Sequence, residues 1–174
     1  MKKILFIVDC QKIFINVRTQ PVADKIVDFV KHNLQNYKYV FISQFRNNAD
    51  SNFVKMLNYT SGLAQGPSRG KDTIYEPLFL ISKKFLRHEK FQWLLPESTY
   101  NKYHKMVFDM TGYDVDVCGF DIDGCVLATC FELFDNGIQF SILKSLTTSS
   151  SNDENMNQYA WKIMERSFGK KVWR

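Results

Sequence analysis

From Val117 to Phe134 the chain reads VCGFDIDGCVLATCFELF, which puts two kinds of nucleophile within five residues. Asp121 and Asp123 are spaced as an attacking carboxylate and its acid/base partner would be in phosphoryl transfer. That chemistry needs a divalent metal held by further carboxylates and a lysine to balance phosphate charge. Beyond the segment that starts at Cys125, the remaining acids are Asp135, Asp153, Glu154 and Glu165, with no paired-acid strand end among them. Cys125 offers a different chemistry. It follows Gly124 where an apolar run hands over to a helical pattern, so its sulfur would sit among helix N-terminal N–H groups, which favour the thiolate. A thiolate there can attack a carbonyl carbon while neighbouring N–H groups hold the oxyanion.

The elements that must position these groups follow from the hydrophobic pattern. Ile4–Val8 is a continuous apolar run ending at Asp9, as a parallel strand buried on both faces would be. Behind Pro21, Val22, Ile26, Phe29, Val30 and Leu34 recur at helical intervals. Residues 37–45 read as a second strand and the segment RNNADSN after them as polar loop. The stretch 60–98 is poorly patterned, with a helical piece expected near 76–82. A helix is expected from Thr99, carrying Tyr100, Tyr103, Val107 and Met110. After it come a strand over 114–120, a helix over 125–135 closed by Asn136-Gly137, and a strand over 138–143. A helix over 153–167 and a short edge strand at 171–173 complete the pattern.

Strands alternating with helices over 174 residues predict one α/β domain spanning 1–174, a Rossmann-like three-layer α/β/α sandwich around a mostly parallel sheet. Ligands of such sheets bind beyond the carboxyl ends of the strands. Asp9 and 120–125 both fall at such ends, so topology alone predicts that they meet.

Composition narrows the function classes. The N-terminal apolar run is broken by Asp9 and no small-residue cleavage site follows it, so it reads as a strand rather than a secretory signal. No run approaches the roughly 20 apolar residues of a membrane span. The net charge of +5 is spread along the chain apart from SKKFLRHEK at 82–90, which reads as a solvated face, so no nucleic-acid partner is expected. Cys10, Cys118, Cys125 and Cys130 lack CxxC spacing and sit in apolar contexts, which predicts reduced thiols and a cytoplasmic protein.

Two families resemble parts of the chain. The loop FDIDG resembles the aspartate-nucleophile loop of haloacid-dehalogenase-type phosphatases, a short and weakly specific match. The second resemblance covers nearly the whole chain. FIVDCQKIF is similar to the D-x-Q-x-x-F opening of the isochorismatase-like cysteine hydrolases, which include nicotinamidases and related amidases. VCGFDIDGCVLATCFELFDNGIQFSIL resembles that family's Gly-x-x-Thr-Asp-x-Cys-Val segment, and MNQYAWKIMERSFG its closing helix.

That resemblance implies an Asp–Lys–Cys triad acting on a small amide or related C–N bond through a thioester. Asp9 and Cys125 are its first and last members. The lysine followed three positions on by an aromatic matches Lys90 with Trp93, although Leu94 stands where serine is usual. An alignment on ESTYNKY would instead put Glu97 at the lysine position and break the triad. The resemblance also implies an oxyanion site made by the backbone N–H groups of Asp121 and Cys125, shaped by a cis peptide between Phe120 and Asp121. Phe14, Trp93 and Phe120 are expected in the substrate pocket. Ile122 replaces the family's usual threonine.

Nicotinamidases of the family carry a metal on Asp and His residues after the second strand. Here that region, SQFRNNADSNF, has no histidine, and His32, His88 and His104 lack ligand spacing, so no metal and no other cofactor is expected. The partners expected are a small-molecule substrate and further copies of the chain in a homo-oligomer. The alternatives that stay open are a catalytically impaired scaffold protein, favoured by Glu97, Leu94 and Ile122, and the metal-dependent phosphatase.

Overall fold

The computed structural model describes residues 2–61, 63, 73–82, 85–90 and 112–174, with the side chains of Lys2 and of 88–90 left out. Five strands form one all-parallel sheet: β1 (Lys2–Val8), β2 (Tyr39–Phe45), β3 (Leu86–Lys90), β4 (Tyr113–Gly119) and β5 (Phe140–Thr147). Their spatial order is β3-β2-β1-β4-β5. The helices are α1 (Gln20–Asn33), α2 (Asn52–Leu57), α3 (Glu76–Ile81), α4 (Cys125–Asp135) and α5 (Met156–Phe168).

The apolar run of β1 has a direct structural cause. Leu5 and Ile7 enter a core with Ala23, Ile26, Val27 and Val30 of α1, whereas Ile4 and Val8 enter a second core with Val126, Cys130 and Leu133 of α4 and Met164 of α5. Successive side chains point to opposite faces, so a strand covered on both sides needs every position apolar. The three-layer sandwich is therefore the predicted one. No helix among the described residues is long and apolar enough to cross a membrane.

Chain order reverses between β1 and β4, which makes their carboxyl ends the topological switch point of the sheet. The two strands pair from Lys2 opposite Tyr113 to Val8 opposite Gly119. At the last pair the backbones approach so closely that a Cβ on Gly119 would be driven into the Val8 carbonyl oxygen and lie 2.7 Å from Val8 N, and Gly119 also has φ +119°. Only glycine suits that position.

Several elements differ from expectation. β3 and α2 were not predicted. The helix expected from Thr99 lies outside the described residues. The last strand runs over Phe140–Thr147 rather than 138–143, because Gly137 turns at φ +68° and the pairing to β4 slips between Val117 and Gly119. At the C-terminus the expected edge strand is a 3-10 turn, Lys170–Val172, entered through Gly169 at φ +79°, and only Trp173 bridges to Ile142 of β5.

Candidate active site

Asp9 leaves β1 in the left-handed region (φ +45°), a conformation that aspartate tolerates better than most residues, and it is fully buried. Ser43 of β2 clamps it. The Ser43 Oγ donates to Asp9 Oδ1 at 2.7 Å and accepts from Asp9 N at 3.1 Å. Two residues on, the buried Gln11 extends the sheet past the end of β2. Its Nε2 donates to the Phe45 carbonyl at 2.9 Å and its Oε1 accepts from Phe45 N at 2.7 Å. Gln11 thus braces the loop after β1, as its type suggested, by acting as a strand residue for its neighbour.

At the adjacent strand end, Phe120 N donates to the Val8 carbonyl at 2.8 Å, and the peptide joining Phe120 to Asp121 is cis. The Asp121 carbonyl then accepts from Gly124 N at 3.0 Å and Val126 N at 2.9 Å, which starts α4 with Cys125 as its first residue. Cys125 is 5% exposed. The other three cysteines are more deeply buried, and that burial pushes the thiols of Cys10, Cys118 and Cys130 far up, out of the reactive range; the Asp24 and Asp9 charges add to the effect at Cys10.

A cavity of about 180 Å³ opens over Cys125, walled by Phe14, Phe45, Phe53, Leu57, Tyr59 and Asp121. Phe45 stands at the centre of the aromatic wall, with ring centroids 6.4 Å from Phe14, 4.8 Å from Phe53 and 6.3 Å from Tyr59. Burial pushes the Tyr59 phenol up, a hydrogen bond with Ser61 opposes this, and the charges of Asp121 and Cys125 add to it, so all three groups share one small space.

The Asp121 side chain is held by the loop after β5. Ser150 N donates to Oδ1 at 2.6 Å and Ser150 Oγ to Oδ2 at 2.8 Å. That loop is itself anchored from the segment after β1, because Asn16 Nδ2 donates to the Ser150 carbonyl at 3.0 Å and the Arg18 guanidinium donates to the carbonyls of Ser151 and Asn152. Burial pushes the Asp121 carboxyl up to about 6; the bonds from Ser150 pull it down, and the charges of Asp123 and Asp9 raise it further.

The residues anticipated from sequence fall into distinct groups. Asp121, Cys125 and Phe14 line the cavity, and Asp9 follows β1 at the adjacent strand end, near enough for its charge to act on the Asp121 carboxyl. Phe120 is instead fully buried in the core with Leu5 and Ile7 and is not among the residues that wall the cavity. Lys90 closes β3 opposite Phe45, and its side chain lies outside the described part. Trp93 and the rival Glu97 also lie outside the described residues.

Six positions at the candidate site were not anticipated: Ser43, Phe45, Phe53, Leu57, Tyr59 and Ser150. For Phe53 a signal existed. Ser51 caps α2 by accepting from Val54 N, and Asn58 ends it in the left-handed region, a start and stop pair readable from sequence.

The loop after β2 does not fit a metal of the nicotinamidase kind. Asn47 Nδ2 donates to the carbonyls of Tyr59 at 2.8 Å and Ser61 at 3.0 Å, and its Oδ1 accepts from Ser51 Oγ at 2.5 Å. An amide and a hydroxyl bonded to each other close this loop, and among the described residues no group of three or more His, Cys, Asp or Glu could hold an ion.

No protein-family model matches the sequence, and no curated relative does. Solved structures do match the fold. A nicotinamidase/pyrazinamidase from Bacillus subtilis superposes with a TM-score of 0.76 at 18% identity, covering 97% of each chain. The N-carbamoylsarcosine amidase from Thermoplasma acidophilum gives 0.75 at 15%, over 97% of this chain and 94% of that one. An isochorismatase-like hydrolase from Alkaliphilus metalliredigens gives 0.74 at 11%, over 95% and 92%. The fold anticipated from the strand-end aspartate and the helix-start cysteine is the one these neighbours share: the chain has the isochorismatase-like α/β fold.

Proposed function

We propose that the protein is a cysteine hydrolase of a small amide or related C–N bond, working through a thioester with Asp9, Lys90 and Cys125. The observation that carries this reading is the position of Cys125, the first residue of a helix, lining an apolar cavity beside the switch point where Asp9 leaves β1. Helix N-terminal amides favour a thiolate and provide oxyanion donors at the same point. The amidase activities in the names of the fold neighbours point the same way.

In this mechanism Asp9 takes the Cys125 proton, and the sulfur attacks the carbonyl carbon. The backbone N–H groups of Asp121 and Cys125 hold the oxyanion. Collapse breaks the C–N bond, and the amine leaves with the proton that Asp9 returns. Water, deprotonated by Asp9, then attacks the thioester and releases the acid and the thiol. Lys90 lowers the thiol pKa and orients Asp9. Clamping by Ser43 keeps the Asp9 carboxylate from rotating away during both proton transfers.

The test is a panel of small amides and ureido acids combined with pH-dependent alkylation of Cys125. Cys125→Ser is expected to lose nearly all turnover, Asp9→Asn comparably so, and Lys90→Ala to raise the Cys125 thiol pKa. An unchanged thiol pKa in Lys90→Ala would remove that residue from the triad. Full turnover by Cys125→Ser would end the cysteine mechanism.

A further inference from the structure

The cavity over Cys125 combines two features that the proposed chemistry does not use. Its walls are aromatic faces from Phe14, Phe45, Phe53 and Tyr59, and among the described residues the carboxylate in its lining is that of Asp121. Among the described residues the hydrogen-bond partners of that carboxylate are the N–H and hydroxyl of Ser150, both neutral, and no lysine or arginine pairs with it. Among the described residues the charged groups that reach it are Asp123 and Asp9, which share its sign. A partly buried carboxylate with neutral partners and like-charged neighbours is an electrostatic deficit that a bound cation would relieve. Aromatic faces around the same space attract cations as well.

We infer that the site takes a substrate whose acyl part carries a positive charge, an ammonium group seated between the Asp121 carboxylate and the rings of Phe14, Phe45, Phe53 and Tyr59. The inference rests on the reading of this cavity as the substrate pocket. It names Asp121 as the residue that sets specificity, and it makes an acyl part bearing a carboxylate a poor ligand, since Asp9, Asp121 and Asp123 would all repel it.

The probes are choline and its uncharged isostere 3,3-dimethylbutan-1-ol, neither of which can be hydrolysed, titrated into the full chain by calorimetry. Choline is expected to bind at least about tenfold more tightly at pH 7.5, within the range of a desolvated cation–aromatic contact with charge assistance. In Asp121→Asn the preference should fall to within about threefold while the alcohol binds as before, which shows that the cavity is intact. Lowering the pH to 5.0 protonates most of the Asp121 carboxyl and should weaken choline by about tenfold without moving the alcohol. Equal or tighter binding of the alcohol overturns the proposal, as does a cation preference that survives in Asp121→Asn or the failure of both probes to bind.

A second pair, trimethylammonioacetamide and 3,3-dimethylbutanamide, separates this inference from the hydrolase reading. Cation preference in binding with no hydrolysis of either amide leaves the cation site standing and removes the hydrolase. Hydrolysis with kcat/KM favouring the neutral amide does the reverse.

Discussion

Replacing Asp121 by asparagine isolates the cost of that buried charge, because the amide preserves its hydrogen bonds. Asparagine Oδ1 can accept from Ser150 N, and its Nδ2 can donate to the Ser150 hydroxyl, which rotates to accept. What changes is titration. The carboxyl ionises at about 6 in the fold against 3.8 as a free side chain. A raised carboxyl pKa means that the folded state holds the proton more tightly, so wild-type stability is highest below the lower value and falls as pH rises through the upper one. Linkage puts the loss at about 1 kcal/mol by pH 4.5 and about 3 kcal/mol by pH 7.5. Carboxyls remote from Asp121 make the same contribution in both proteins and cancel. The stability of Asp121→Asn relative to wild type should therefore rise by about 2 kcal/mol between those pH values, measured by urea denaturation at each. A difference that stays constant between pH 4.5 and 7.5, or moves toward wild type, would refute the uncompensated carboxylate and with it the argument for a cationic ligand.

In the folded protein iodoacetamide should modify Cys125 well before Cys10, Cys118 and Cys130, whose thiols burial holds protonated; peptide mapping that finds Cys118 labelled first would contradict this. Gly119→Ala should destabilise by about 3 kcal/mol or more, since its methyl meets Val8 backbone in a left-handed conformation, and a loss under about 1 kcal/mol in urea would contradict the close approach. Asp116 is buried between Tyr37 Oη at 2.7 Å, Arg174 Nη1 at 3.0 Å and Lys3 Nζ at 3.7 Å, so Asp116→Ala should cost about 3 kcal/mol. Arg174→Ala, whose side chain is half exposed, should cost about 1 kcal/mol or less, and a larger effect there than at Asp116 would reverse the assignment of the pair.

What was legible in the sequence was whatever lies where a periodic segment stops. Asp9 and Cys125 could be placed because β1 is apolar from Ile4 to Val8 and α4 has a clear helical pattern, so both mark the sheet's carboxyl edge. β3 was invisible for the opposite reason. It is paired to β2, and its sequence LRHEK is charged enough to read as a solvated run. Lys90 was picked out, together with Trp93, by resemblance and not by any strand pattern, and its position at the end of β3 gives it the same sheet edge as Asp9. The end of β5 was lost because Lys144 and Ser145 are exposed in mid-strand and interrupt the apolar signal before Leu146 and Thr147 return to the interior. The setting of Asp121 was beyond sequence reading altogether, because Ser150 lies 29 residues away and takes its place through contacts with Asn16 and Arg18 from the other side of the switch point.

Those contacts reflect a general demand of the fold. Where parallel strands end, backbone N–H and C=O groups lose their ladder partners while still buried, and each needs a replacement. Gln11 supplies it for Phe45, Ser43 for Asp9 N, and Asn47 for the carbonyls of Tyr59 and Ser61. These side chains carry no reactive group, yet each fixes the wall or carboxylate next to it. Asn47 and Ser51 also close on each other, so hydrogen bonds add to the ring contacts with Phe45 in holding the loop that bears Phe53 and Tyr59. With the aromatic wall fixed in this way on one side and Asp121 fixed by Ser150 on the other, neither has to move to receive a ligand. A rigid aromatic wall facing a carboxylate whose charge is unmatched among the described residues is arranged for a compact cation, and a neutral amide of the same shape would leave that charge as costly as before.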